Sequence, residues 1–280
     1  MQEELNEFIE RALHEDVRDG DHTSLACIPR DAMGKAYLLV KENGILAGME
    51  LAKQIFQKVD ERIVMNPLLK DSDSIAVGDI AFTVKGPSCS LLTAERLVLN
   101  CMQRMSGIAT KTHEINKLIE GTKAQVLDTR KTTPGIRILE KWAVKIGGGT
   151  NHRFGLYDMM MIKDNHIDFA GGIKQAIEKA INYQKNKNLS LKIEVEARDL
   201  QEVKEILDIG KIHRIMLDNF SYEDTRTAVN MINGKYETEA SGGITEETIR
   251  AHAECGVDFI SVGALTHSVS SLDLSLKATE

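Results

Sequence analysis

Apolar residues recur at Leu5, Phe8, Ile9, Ala12 and Leu13, the i, i+3, i+4 spacing that turns one helical face toward a core, so the chain opens on a surface helix. Past the turn-forming Asp19-Gly20-Asp21 the rhythm shortens. Apolar runs at 36–40, 44–48, 63–65 and 75–84, the last broken by a Gly78-Asp79 turn, surround one helical stretch at 51–59. They predict a small α+β unit on an antiparallel sheet. Helical spacing returns from 91 to about 106, and a second helix is predicted from about 109 to 119.

The pattern then changes. Seven short strand-like runs follow, at 124–128, 143–146, 159–162, 191–195, 214–217, 236–240 and 258–262, with helices clearest at 173–184, 200–207, 222–232 and 246–255. Alternating strand and helix mean parallel pairing through right-handed crossovers. Polar residues close nearly every run, which favours a barrel, whose sites lie at the carboxyl ends of many strands, over an open sheet with one switch point. Seven runs make that barrel incomplete.

Composition adds bounds. A 280-residue chain with 42% hydrophobic and 28% charged residues buries a large core. No apolar run approaches the roughly 18 residues of a membrane span, and the start, Met1-Gln2-Glu3-Glu4, is acidic, so neither membrane insertion nor export is expected. Cys27, Cys89, Cys101 and Cys255 lie far apart without metal-ligand spacing, which fits a reducing cytoplasm. A net charge of −7 argues against nucleic acid, yet residues 123–163 hold eight Lys/Arg against three Asp/Glu, a local +5 that predicts a small anionic ligand.

The ends of the strand-like runs hold the candidate chemistry: Asp128-Thr129-Arg130-Lys131-Thr132, Asn151-His152-Arg153, Lys163-Asp164-Asn165-His166, Glu194-Val195-Glu196, Asp218-Asn219, Ser241-Gly242-Gly243 and Gly263. Any one of these cations is as readily a solvated loop residue. Their recurrence at successive strand ends is what favours a site, because such a rim repels itself unless an anion occupies it. The glycines after the last two strands are the expected phosphate position of a barrel. Glu196 and Asp218 suit a reaction that develops positive charge on a ribose ring. Glu194 shares the inward face of Glu196, and two readings stay open for it, buried partner of a site lysine or direct ligand contact. Arg104, at the end of an apolar helix, reads on its own as a cation complementing the helix C-terminus.

The run from Asp128 to Gly135, followed by Lys145-Ile146-Gly147-Gly148-Gly149, Asn151-His152-Arg153 and Lys163-Asp164-Asn165-His166-Ile167, resembles the quinolinate phosphoribosyltransferases. The likeness extends to Gln103-Arg104-Met105-Ser106-Gly107, Leu217-Asp218-Asn219-Phe220 and Glu239-Ala240-Ser241-Gly242-Gly243. It implies the type II phosphoribosyltransferase fold: an N-terminal open α/β sandwich over 1–107, with a tail at 266–280 returning to it, and a seven-stranded incomplete α/β barrel over 108–265. It also implies transfer of phosphoribosyl from phosphoribosyl pyrophosphate to quinolinate with decarboxylation, magnesium (Mg2+) arriving with the pyrophosphate substrate, in a homodimer or larger homo-oligomer. Matched residue by residue, Arg130, His152 and Arg153, with Thr129 beside them and Arg104 shared across the subunit interface, would hold quinolinate. Lys131 and Lys163 would sit by the pyrophosphate and the reacting ring, and Glu196 and Asp218 by the ribose. Ser241, Gly242, Gly243, Gly263 and His267 would take the 5′-phosphate. Two other readings compete: a related barrel acting on another anion, and a non-catalytic phosphate-ligand sensor, which should have lost Lys131, Lys163 or the paired carboxylates.

Overall fold

A computed structural model describes residues 2–279; Met1 and Glu280, the outermost positions of the ranges 1–107 and 266–280, lie outside the described residues. The chain divides into two compact units. One joins Met1–His113 with Thr132–Gly148 and Ala264–Glu280, the other Glu114–Lys131 with Gly149–Gly263.

The first unit is built on a four-stranded antiparallel sheet in the order Leu274–Thr279, Met33–Val40, Ile80–Pro87, Val64–Pro67. Along Met33–Val40 the alternate residues Ala36, Leu38 and Val40 are buried, the period of a strand with one face on a core. The helix Met49–Val59 adds Leu51, Ala52, Ile55 and Phe56 to that core, and Phe56 meets Phe82 edge to face with ring centroids 6.0 Å apart. The opening helix, Gln2–Val17, buries Leu5, Phe8 and Ile9 as its spacing predicts.

The two helices expected on either side of Gly107 are one, Ser88–Leu118. Glycine weakens a helix but need not end it, and here its missing side chain admits the C-terminal segment. A Cβ at Gly107 would collide with the Ser270 carbonyl oxygen.

The second unit holds six parallel strands, ordered Gln125–Leu127, Phe259–Ser261, Glu237–Ser241, Arg214–Asp218, Lys192–Ala197, Met159–Ile162. Helices Ile173–Lys187, Leu200–Ile209, Tyr222–Ile232 and Glu246–Glu254 separate them in sequence, as α/β alternation requires. One predicted strand is misplaced. Residues 143–146 close the helix Arg137–Ile146, which belongs to the first unit. Leu139 and Ala143 form an i, i+4 apolar pair on that helix, and a four-residue apolar run does not reveal its own period. The seventh strand position is reduced to Thr150, which makes a single parallel bridge to Leu127.

Gly107→Ala is expected to lower stability by about 1–3 kcal/mol, the scale of an overpacked site, despite a helix-propensity gain near 1 kcal/mol. Denaturant unfolding of the two proteins checks this, and equal midpoints would refute the close approach of Ser270.

Candidate active site

At the carboxyl ends of the parallel strands, fully buried Asp128 fixes the loop that follows. Its Oδ1 accepts from His152 N–H at 2.8 Å and its Oδ2 from Asn151 Nδ2 at 2.6 Å. Arg130 and Lys131 emerge beyond it, both exposed, with the Lys131 N–H bonded to Thr129 Oγ1 at 3.0 Å. Arg153 is half-buried and donates from Nη1 to Met159 O at 3.1 Å. Burial, and then the positive charge of Arg130, push the Arg153 pKa below its ordinary value. Two arginines are thus held near enough to repel one another.

On the neighbouring strand ends, Lys163 Nζ donates to Glu196 Oε2 at 2.6 Å, joining a half-exposed cation to a nearly buried carboxylate. Asp218 accepts from Asn219 Nδ2 at 2.7 Å. Register places Glu196 opposite Met216, so Asp218, two residues on, keeps the same face. Asn219 has a left-handed backbone with φ 56°, and Gly242 packs so closely on it that a Cβ there would overlap the Asn219 amide. Gly243, at φ 60°, has open space where a Cβ would be. A backbone in that conformation with nothing above it lets a ligand approach the N–H groups closely.

Beneath this rim the barrel interior carries charge. Glu194 and Arg214 are register partners on adjacent strands, and Glu239 lies on the next. His152 turns inward to meet them, its side chain only 4% exposed. Nε2 lies 3.0 Å from Glu194 Oε2 and 3.3 Å from Glu239 Oε2. Arg214 closes the group, with Nη1 donating to Glu239 at 3.0 Å and its guanidinium 4.1 Å from the Phe259 ring centroid. Burial, and then repulsion from Glu239, raise Glu194 to about 7. Burial also opposes a charged His152, but the two glutamates outweigh it and raise the ring to about 9. Against a doubly protonated ring stands the Arg153 N–H, which points at His152 Nδ1 from 2.6 Å and needs that nitrogen as an acceptor. The group is therefore neutral overall when it holds two protons, one on His152 Nε2 and one on Glu194, beside Arg214.

The structure thus brings Thr129, Arg130, Lys131, Arg153, Lys163, Glu196, Asp218, Ser241, Gly242, Gly243 and Gly263 to the strand ends of one unit. It sets His152 below them. Glu194 partners this histidine rather than a lysine. The basic segment does not stay together: Arg137, Lys141 and Lys145 lie on the helix of the first unit, and Lys123 pairs with Asp258 at 2.7 Å. Arg104 and His267 also belong to the first unit. Arg104 is bonded to Glu140 and two carbonyls, and exposed His267 contacts Ser268 Oγ through Nδ1 at 2.7 Å. Glu239 and Arg214 went unremarked as site residues in the sequence. Their signal was a charged residue at an inward position of a strand, legible once neighbouring strands are known.

Comparison with known proteins is consistent across the chain. Residues 21–106 match the family model for the N-terminal domain of quinolinate phosphoribosyl transferase, and 108–277 that for its C-terminal domain. A nicotinate-nucleotide pyrophosphorylase (carboxylating) of Arabidopsis thaliana, named as chloroplastic, is 48% identical over 98% of this chain and 82% of its own length. A probable enzyme of the same name from Bacillus subtilis is 41% identical over 99% and 94%. Among solved structures, NadC from Streptococcus pyogenes superposes with a TM-score of 0.93 at 36% identity, covering 100% of this chain and 99% of that one. The nicotinate-nucleotide pyrophosphorylase from Francisella tularensis gives 0.92 at 40%, covering 100% and 97%.

The proton on Glu194 makes stability depend on pH with a definite sign. Glu194 has a folded-state value above its ordinary one, so its contribution is complete below the unfolded value and lost as pH rises through the folded one. The thermal midpoint should fall as pH rises through about 7. Glu194→Gln, which keeps the shape and removes the charge, should flatten that slope; an unchanged slope in this variant would place the proton elsewhere.

Proposed function

We infer the activity from family membership: the chain belongs to the quinolinate phosphoribosyltransferases, and it transfers phosphoribosyl from phosphoribosyl pyrophosphate to quinolinate, releasing pyrophosphate and carbon dioxide and forming nicotinate mononucleotide in de novo NAD biosynthesis. The structural observation that supports this most is the crowding of Arg130 with Arg153 at the barrel rim. Two guanidinium groups kept close suit a dianionic aromatic acid, since each fork matches one carboxylate.

In this reading Arg130 and Arg153 hold the quinolinate carboxylates, with Thr129 shaping the turn between them and His152 supporting Arg153 from below. Lys131 and Lys163 serve the pyrophosphate and the reacting ring. Glu196 and Asp218 hold the ribose hydroxyls and favour the positive charge that develops on the sugar as its bond to pyrophosphate breaks. The turn at Ser241-Gly242-Gly243, with Gly263 on the adjoining strand end, takes the 5′-phosphate on backbone N–H groups. Once the ring nitrogen is ribosylated, its positive charge stabilises the electron pair that stays on the ring carbon when the adjacent carboxylate departs as carbon dioxide, and that carbon then takes up one proton from solvent to give nicotinate mononucleotide. The protein's part is to orient the ring for both steps. Magnesium belongs to the phosphoribosyl pyrophosphate substrate, and the oxygen donors of Glu196 and Asp218 suit an ion that takes one or two carboxylates plus substrate oxygens.

We further propose a homodimer or larger assembly in which Arg104 serves the site of a neighbouring subunit. A cytoplasmic location fits four free cysteines, and among the described residues no helix is long and apolar enough to cross a membrane. Retention of Lys131 and of the Lys163–Glu196 pair counts against a non-catalytic sensor.

The direct test mixes the protein with quinolinate, phosphoribosyl pyrophosphate and magnesium and follows mononucleotide and carbon dioxide. Turnover of another aromatic acid with none of quinolinate would sink the assignment in favour of a related transferase. Arg153→Ala should raise the KM for quinolinate roughly 10- to 100-fold, the scale of a lost charge-assisted hydrogen bond, and leave that for phosphoribosyl pyrophosphate within about twofold. Arg104→Ala and Lys163→Ala, each inactive alone, should regain activity when subunits are mixed, because one site of a heterodimer escapes both lesions. Inactive heterodimers would refute the sharing of Arg104.

A further inference from the structure

Glu140, on the helix Arg137–Ile146, is fully buried, and its carboxylate accepts four hydrogen bonds. Oε1 receives Arg104 Nε at 3.1 Å, Arg104 Nη2 at 2.7 Å and Thr133 Oγ1 at 2.9 Å, and Oε2 receives Thr133 N–H at 3.0 Å. A carboxylate withdrawn from water is tolerated only when so completely satisfied. Arg104 is held from its other side as well, through Nη2 to Thr266 O at 2.5 Å and Nη1 to Val269 O at 2.9 Å. These bonds use four of the five N–H donors of a guanidinium, while the side chain stays 24% exposed.

We propose that Glu140 is the positioning residue of Arg104: it fixes the guanidinium plane and ties it to the Thr133 turn, leaving one Nη1 N–H to meet a substrate carboxylate. The inference rests on the reading of Arg104 as a carboxylate-binding residue. It changes what that residue offers. Arg104 supplies one aimed donor rather than a two-pronged fork, and its charge is already balanced by the Glu140 carboxylate of its own chain. A lysine in its place could not make the planar bonds to Glu140 and both carbonyls at once.

The test is steady-state kinetics on the full-length chain for Glu140→Gln, Glu140→Asp, Arg104→Ala and the double variant Arg104→Ala/Glu140→Gln, with thermal midpoints measured alongside. Glu140→Gln should raise the quinolinate KM roughly tenfold, the low end for weakening a charge-assisted bond, with that for phosphoribosyl pyrophosphate nearly unchanged. In the Arg104→Ala background, compared by quinolinate Kd where turnover is lost, it should add nothing. In heterodimers with Lys163→Ala subunits, the one site with an intact Lys163 takes its Arg104 from the chain with an intact Glu140, so the quinolinate KM should return to the wild-type value. Should Glu140→Gln fold poorly, Glu140→Asp, which keeps the charge and shifts the guanidinium, carries the same comparison. If Arg104→Ala is impaired while folded Glu140 variants match wild type, or if the two lesions add independently, the positioning role is overturned and the Arg104 reading survives. If Arg104→Ala itself leaves the quinolinate KM unchanged, both fall together.

Discussion

Two carboxylates, an imidazole and a guanidinium packed inside a parallel barrel impose the condition on which the rest of the second unit depends. Barrel interiors are ordinarily filled by branched apolar residues, and isolated buried ions are costly. Glu194, Glu239, His152 and Arg214 reduce that cost by lying within ion-pair distance of one another across adjacent strands, so that their charges balance as a group. Losing any one of them strands the others. The inward turn of His152 follows, and with it the position of Arg153, whose N–H rests on the imidazole.

Asp128 applies the same rule one layer up. Its two oxygens accept from the Asn151-His152 loop, and the next charged residues, Arg130 and Lys131, are exposed beyond it. Lys163 pairs at the rim itself with Glu196. Binding an anion to Lys163 would have to compete with this carboxylate.

Much of this was legible in the sequence. Six of the seven strand-like runs are strands, and the polar residues that close them are the ones the structure gathers. Residues 143–146 were misread because four apolar residues carry no period of their own, and the helix they end is declared only by Leu139 and the turn before it. The continuity of the helix through Gly107 was not read from the spacing, and the constraint on that glycine, the approach of Ser270, comes from a segment more than 160 residues later. Glu239 and Arg214 look like the polar half of an alternating strand. Only the strand order shows that they share an interior, and strand order is not written in local pattern. The charge count over 123–163 misled in one respect, because the chain leaves the barrel at Thr132 and returns at Gly149.

That excursion, together with the edge strand Leu274–Thr279, has a consequence for how the chain becomes folded during synthesis. The first sheet contains strands more than 200 residues apart in sequence, and its strand Met33–Val40 lacks one neighbour until residues 274–279 have left the ribosome. Contacts so distant in sequence form slowly, and an unpaired strand edge is exposed to wrong partners meanwhile. The barrel, continuous but for one helix, can assemble first. The unit that begins the protein is thus the one completed last.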